Sequence, residues 1–207
     1  MSPSPSKPRL VLASTSPRRR ALLTEAGIAH IAISPGVDDG ELQPGNVPPA
    51  SWVMALAHLK ASAGLRELGP SGAAPSLVLG ADTLCVCDGA LVGQPRNAAH
   101  AGEIIRRFLN REHEVLSGVA LLHPDGRRAA IFFDRAVVHV GHIADPAIDA
   151  YLASHAWKGK AGAYNLTERL EAGWPITFKG DPTTIVGLPM QRLRRELARL
   201  LPQEAVA

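Results

Sequence analysis

One segment of the chain, residues 10–23, reads LVLASTSPRRRALL and constrains the fold more than any other. Its first four residues form a short apolar run, which is typical of a buried strand. Ser16 is a preferred helix N-cap, and Pro17 suits the first helical position because the N–H that proline lacks would have had no partner there. Gly27 is placed to end the helix. The segment therefore predicts a strand, a tight loop and a helix N-terminus.

Three consecutive arginines, Arg18, Arg19 and Arg20, occupy the first turn of that predicted helix. Cations are unfavourable at a helix N-terminus by roughly a few tenths of a kcal/mol each, because they meet the positive end of the helix dipole. The free N–H groups of a helix N-terminus bind anions, and the guanidinium fork matches phosphate oxygens. The pattern indicates a phosphate site. A solvated basic turn with the arginines facing outward is the alternative.

Strands and helices alternate along the rest of the chain. Helices are predicted over 50–68, 97–110 and from 190 to about 201, and strands over 30–34, 76–87, 113–123, 129–140, 174–178 and 184–186. Asp88 and Gly89 predict a hairpin turn. Because helices interleave with strands and at least one hairpin occurs, we expect an α/β fold with a mixed sheet, antiparallel at its edges and flanked by helices.

Composition limits the classes of function. The net charge of +3 over 207 residues is compatible with an anionic small molecule and is too weak to demand nucleic acid. Cys85 and Cys87 are too close in sequence for a good disulfide, which favours a reducing, cytoplasmic setting. No apolar run approaches the ~20 residues of a membrane span, so no membrane partner is expected. Residues 1–8 form a Ser/Pro-rich stretch that predicts a disordered tail and no signal peptide.

Asp82 interrupts an otherwise apolar strand. An unpaired buried carboxylate costs several kcal/mol, so its presence indicates a metal ion, a cationic partner or a role in proton transfer. A structural aspartate at a bulge that Gly80 allows is the alternative. On grounds of burial we favour a functional role.

Two further groups of charged residues could serve a phosphate ligand. Asp38, Asp39 and Glu41 on a glycine-containing loop could bind a hard divalent ion, since Mg²⁺ typically uses one or two carboxylates plus substrate phosphate. Lys60 on an apolar helix and Lys160 in a glycine-rich loop could reach phosphate oxygens. The alternatives are a solvated acidic loop and surface lysines.

Taken together, these blocks resemble the Maf family of nucleoside triphosphate pyrophosphatases. The matching text is LASTSPRR at 12–19, VDD at 37–39, LKA at 59–61, GADT at 80–83, HEV at 113–115, KAGAY at 160–164 and VGLP at 186–189. The resemblance implies a mixed α/β fold over 9–202 as one domain with two lobes around a central cleft, followed by a tail at 203–207. It also implies hydrolysis between the α- and β-phosphates with a divalent cation, Mg²⁺ or Mn²⁺.

The resemblance also implies roles for individual residues. Asp82 matches the family's proton acceptor and, with Asp39, would bind the metal; Asp39 stands where the family usually has Glu. The residues implied in binding the triphosphate are Ser14, Ser16, Arg18, Arg19, Lys60, Thr83 and Lys160. A homodimer is left open.

Two departures bear on function. The family commonly has Lys-Pro-x-Asp where this chain has Gln94-Pro95-Arg96-Asn97, so one cation and one carboxylate are missing. Arg18 and Thr83 resemble the branch acting on dTTP and UTP. The third specificity position of that branch falls near Thr167, and Gly180-Asp181-Pro182 is similar to the 7-methyl-GTP branch, so the base stays unassigned.

A nucleotide-sensing regulator of cell division with little turnover is the second hypothesis, and Gln94 and Asn97 favour it. Stable nucleic-acid binding is a third and weaker hypothesis, because the basic residues form no continuous stripe interleaved with aromatic residues.

Overall fold

The computed structural model describes residues 10–37, 42–68 and 76–201. The strands within these residues are β1 (Leu10–Ala13), β2 (His30–Ile33), β3 (Leu77–Cys87), β4 (Ala90–Val92), β5 (Arg111–Leu122), β6 (Arg128–Val140) and β7 (Ile176–Lys179). The α helices are α1 (Pro17–Glu25), α2 (Pro49–Leu68), α3 (Ala98–Phe108), α4 (Asp145–Ala153), α5 (Leu166–Glu171), α6 (Pro182–Val186) and α7 (Met190–Leu200). The mixed α/β fold is confirmed. The tails predicted at 1–8 and 203–207 lie outside the described residues.

The strands form one sheet in the order β2-β1-β3-β5-β6-β7, and β4 pairs with the end of β3. Strand β1 pairs in parallel with both β2 and β3, so that Ala13 lies opposite Ile33 on one side and Gly80 on the other. The β3–β4 and β6–β7 pairs are antiparallel. Asp88 and Gly89 have φ angles of 51° and 73°, which a two-residue hairpin loop requires.

The chain divides into two compact units, each with its own apolar core. The first unit consists of Met1–Asp82, Ser117–Asp134 and Gly187–Ala207, and the second of Thr83–Leu116 and Arg135–Val186. The core of the first unit is built mainly from leucines of β1, β3, α1 and α7. The core of the second unit holds most of the large aromatic side chains, Phe108, Tyr151, Trp157, Tyr164 and Trp174.

The start of α1 follows the local sequence signals. Ser16 has extended backbone angles, its side chain accepts a hydrogen bond from the N–H of Arg19, and Pro17 is the first helical residue. Gly27 follows the helix with φ +70°, a conformation that glycine adopts without steric cost. The predicted strand, loop and helix of residues 10–27 are confirmed.

The strand predicted over 184–186 is wrong, because these residues belong to helix α6. Their β-branched side chains favour a strand, but the residues before them dictate a helix start. Asp181 Oδ1 accepts hydrogen bonds from Thr183 N at 2.9 Å and Thr183 Oγ1 at 2.6 Å, and Pro182 supplies a first residue with a suitable φ. Among the described residues, no helix is both long and apolar enough to cross a bilayer.

Candidate active site

The loop between β1 and α1 brings three of the predicted phosphate-binding residues together. Ser14 is buried, and its Oγ accepts hydrogen bonds from Ser16 N and from Arg19 Nη1, both at 3.2 Å. Ser16 Oγ in turn accepts from Arg19 N at 3.5 Å. Arg18, in the same first turn, is half-buried. These contacts hold the loop and the guanidinium at the positive end of the helix dipole, where an anion is favoured.

Arg19 is also tied to the VGLP segment. Its Nε donates to the carbonyl oxygen of Gly187 at 3.0 Å. Gly187 has φ +130°, a conformation that L side chains rarely adopt, so the segment needs glycine to present that carbonyl. The two hydrogen bonds from different guanidinium nitrogens fix the orientation of the Arg19 side chain.

Asp82 lies on β3 and forms an ion pair with Lys60 of α2. Lys60 Nζ is 2.5 Å from Asp82 Oδ1, and the two side chains are only 14% and 11% exposed. The buried carboxylate therefore has the cationic partner that its position on an apolar strand indicates.

Gly80 brings this pair together. A Cβ at Gly80 would overlap the carbonyl oxygen of Ala57 and would lie 2.8 Å from the Cβ of Ala61, so α2 packs directly on the strand backbone. Residues 57, 60 and 61 share one face of the helix, and residues 80 and 82 share one face of the strand. The close approach at Gly80 consequently carries Lys60 to Asp82.

The loop between β1 and α1 begins close to Asp82 along the sheet. Strand β1 ends at Ala13, opposite Gly80 of the parallel strand β3. Ser14 begins the loop at that point, and Asp82 follows Gly80 by two residues. The carboxyl ends of parallel strands are where ligands commonly bind in α/β sheets, because loops and helix N-termini gather there.

Thr83 and Lys160 belong to the second unit. Thr83 is half-buried on β3. Lys160 is largely buried, with 11% of its side chain exposed, and its Nζ lies 2.5 Å from Glu168 Oε2. Sequence reasoning missed Glu168, although Asn165 three residues before it is a recognisable helix N-cap. Asn165 Oδ1 accepts from Glu168 N at 3.1 Å, which fixes the start of α5.

A buried aromatic group in the second unit was also missed. His113 Nε2 and Tyr164 Oη are 2.8 Å apart, and the His113 ring stacks on Phe108 with 3.9 Å between centroids. Burial lowers the pKa of His113 to about 4 and raises the pKa of Tyr164 well above its usual value. Both residues are therefore neutral at pH 7. The signal available in the sequence is that His113 alternates with charged residues and shares its strand face with Val115.

Asn97 has a structural role in this chain. Its Oδ1 accepts a hydrogen bond from His100 N at 2.9 Å and caps α3. Asparagine and aspartate are about equally good N-caps, so Asn97 preserves the local structure that the usual aspartate would give. Gln94 is exposed beside it.

The residues that the structure describes suit a divalent cation only together with a ligand. Among the described residues, no group of three or more His, Cys, Asp or Glu side chains could hold a metal ion. Asp82 nevertheless supplies a hard oxygen donor, and Mg²⁺ commonly binds through one or two carboxylates plus phosphate oxygens. Asp39, the other predicted ligand, lies outside the described residues. The donor set thus fits an ion that arrives with a phosphorylated substrate.

A sequence model of the family described as Maf-like protein matches residues 9–200. The chain belongs to the Maf family. Among its relatives, the dTTP/UTP pyrophosphatase of Salinibacter ruber is 38% identical over 91% of this chain and 89% of the relative. That of Chlorobaculum parvum is 36% identical over 97% of this chain and 98% of the relative. A solved nucleoside-triphosphatase / dITP/XTP pyrophosphatase from Mycobacterium abscessus matches with a TM-score of 0.41 and 18% identity, over 63% of this chain and 73% of that one.

Proposed function

We propose that this Maf-family protein hydrolyses the α–β phosphoanhydride of dTTP and UTP and releases the nucleoside monophosphate and pyrophosphate. The observation that carries the proposal is the buried Lys60–Asp82 ion pair at the same sheet level as the loop held by Ser14 and Arg19. The choice of pyrimidine nucleotides rests on the activity for which the relatives are named.

Triphosphate binding is assigned to the start of α1. The guanidinium of Arg19 contacts Ser14 in the loop that leads into the first helical turn, and both the guanidinium and the free N–H groups of a helix N-terminus favour phosphate oxygens. Ser14 and Ser16 hold this loop in shape, and Arg18 adds a second cation. Lys60 contributes a third positive charge from α2.

Asp82 is assigned the role of activating the attacking water. Its Oδ1 accepts a hydrogen bond from the ammonium of Lys60, so Oδ2 is the oxygen that would orient a water molecule and take its proton. The proton passes from the water to Oδ2 as the water oxygen bonds to the phosphorus, and the bond from phosphorus to the bridging oxygen breaks. The rate of such a reaction depends mainly on positioning and electrostatics.

Asp82 would also hold a divalent cation, Mg²⁺ or Mn²⁺, together with phosphate oxygens, and Asp39 is the second proposed ligand. When bound, the cation would neutralise negative charge on the oxygens of the phosphoryl group under attack. Thr83 and Lys160 are proposed as further contacts to the nucleotide. We expect the reaction to take place in the cytoplasm, on the free nucleotide.

A panel of nucleoside triphosphates tests the proposal. The protein is incubated with Mg²⁺ and dTTP, UTP, dATP, dCTP, GTP or 7-methyl-GTP, and pyrophosphate and monophosphate are measured together. We expect equal amounts of the two products, and the fastest release from dTTP and UTP. Release of inorganic phosphate in place of pyrophosphate would contradict the cleavage position. A preference for 7-methyl-GTP would overturn the base assignment alone.

The regulator hypothesis loses one of the two features that favour it. Asn97 caps α3, so its presence in place of aspartate has a structural explanation that does not require loss of turnover. Absence of product from every nucleotide in this assay, together with tight nucleotide binding in a separate titration, would support a regulator.

A further inference from the structure

Two adjacent residues of the segment Lys160–Tyr164 have backbone angles in the left-handed region. Gly162 has φ +70° and Ala163 has φ +64°. This conformation is unfavourable for alanine, and such residues persist only where their surroundings fix them. Backbone strain of this kind clusters at functional sites, which indicates a functional role for the segment.

Two buried tyrosine hydroxyls hold the segment at Ala163 and Tyr164. Tyr151 Oη donates to the carbonyl oxygen of Ala163 at 2.9 Å. Tyr164 Oη shares a hydrogen bond of 2.8 Å with His113 Nε2. Each hydroxyl can be removed by substitution with phenylalanine, which leaves the ring in place.

Gly162 fixes the middle of the segment. Its N–H donates to the carbonyl oxygen of Gly93 at 3.2 Å. A Cβ at this position would lie 2.8 Å from Cys85 Sγ and 3.3 Å from the ring of Phe108, so the backbone rests directly on the core of the second unit. The segment is therefore held at three consecutive residues.

His113 has no evident role apart from this bond. It is 2% exposed, and its Nδ1 has no hydrogen-bond partner among the described residues. A buried imidazole with one unpaired nitrogen is costly, and an apolar side chain could stack on Phe108 equally well. The hydrogen bond to Tyr164 is what an apolar residue could not supply.

We propose that His113 and Tyr151 are positioning residues, which act through Tyr164 and Ala163 to hold the backbone from which Lys160 binds the triphosphate. The proposal rests on the function given above, since it takes Lys160 as a substrate contact. Lys160 lies at the start of the held segment, and its ammonium is paired with Glu168 at 2.5 Å. Holding the backbone keeps this cation in one position before the nucleotide arrives.

The test compares Tyr164→Phe and Tyr151→Phe with Ile148→Val, a control in the same core whose side chain forms no hydrogen bond to the segment. We expect each tyrosine variant to raise KM for dTTP roughly fivefold, with kcat within about twofold, because a prealigned contact to the substrate phosphates acts on ground state and transition state alike. His113→Gln, which can still hydrogen-bond to Tyr164, is expected to raise KM less than His113→Met.

Limited trypsin digestion provides a readout that does not depend on activity. Cleavage after Lys158 and Lys160, measured by mass spectrometry, is expected to be roughly fivefold faster in both tyrosine variants than in Ile148→Val. Unchanged KM in both tyrosine variants overturns the proposal, even where cleavage is faster, because the bonds would then be structural only. Should the unaltered protein release no pyrophosphate, the proposed function fails, whereas unchanged cleavage rates refute the holding of the segment independently.

Discussion

Lys60 and Asp82 are 22 residues apart in the sequence, yet their side chains form a buried ion pair with 2.5 Å between Nζ and Oδ1. Each charge stabilises the other in this position, because removing one partner of a buried pair typically costs about 3–5 kcal/mol. The pair depends on a glycine, Gly80, that lets helix α2 rest on strand β3. Stability and proposed catalysis therefore converge on the same contact.

Gly80→Ala is expected to separate the pair. The added methyl group would overlap the backbone of Ala57, so α2 must move away from β3. We expect a loss of about 1–3 kcal/mol in the free energy of unfolding and a clear fall in kcat. Gly93→Ala is the matched control, since a Cβ there meets nothing within 4 Å. Urea unfolding and pyrophosphate release measure the two effects, and a Gly80→Ala protein as stable and active as the control would refute the packing argument.

Asp82→Asn keeps the shape of the side chain and removes its charge. Lys60 retains an oxygen acceptor, so we expect the fold to survive, while kcat falls ~100-fold or more because the amide cannot take the proton of the attacking water. Circular dichroism and pyrophosphate release are the measurements. Asp125→Asn, in the exposed turn before β6, serves as the control with unchanged turnover. Near-normal turnover of Asp82→Asn would reject the role assigned to Asp82.

Arg19→Lys tests the geometry of the loop between β1 and α1. The guanidinium donates to Ser14 Oγ and to the Gly187 carbonyl from two different nitrogens, an arrangement that a lysine ammonium cannot reproduce. We expect KM for dTTP to rise about tenfold, as for the loss of one charged hydrogen bond. Arg199→Lys on α7, where the arginine pairs with Glu196, should leave KM unchanged. Equal KM values for both variants would show that positive charge alone suffices at residue 19.

The predictions that succeed from sequence are those with local causes. The strand, cap and helix of residues 10–27 follow from neighbours within a few positions, and Asp82 stands out because a carboxylate is rare on an apolar strand. The partner of Lys160 depends on how α5 folds back, which residue types do not reveal. The β-branched residues at 184–186 favour a strand, but the cap that Asp181 supplies starts a helix over 182–186.

The pairing of strands cannot be predicted from neighbouring residues in the sequence. Strands β1 and β3 are separated by two helices and a strand, yet Ala13 lies opposite Gly80. This register sets Ser14 and Asp82 at the same level of the sheet. An alternating pattern predicts which face of a strand is buried, but it does not predict which strand lies next to it. The residues of the candidate site could be named from the sequence, whereas their arrangement could not.

The burial of His113 makes the stability of the folded protein depend on pH. Burial lowers its pKa to about 4 in the folded protein, whereas an imidazole in the unfolded chain titrates near 6.5. Below pH 6.5 the unfolded state therefore binds a proton that the folded state does not, and folding loses stability as the pH falls from 6.5 to about 4. The loss amounts to roughly 3 kcal/mol over this window. Urea unfolding at intervals between pH 7.5 and 4 measures it.

His113→Gln isolates this contribution from that of the carboxylates, which titrate in both proteins. We expect its free energy of unfolding to fall less steeply, by up to about 1.4 kcal/mol per pH unit between pH 6.5 and 4, whatever its stability at neutral pH. His58→Gln, at an exposed position on α2, should follow the unaltered protein throughout. Parallel curves of unfolding free energy against pH for His113→Gln and His58→Gln would mean that His113 takes up its proton as readily in the folded protein as in the unfolded chain. That result would refute the burial of its ring away from water.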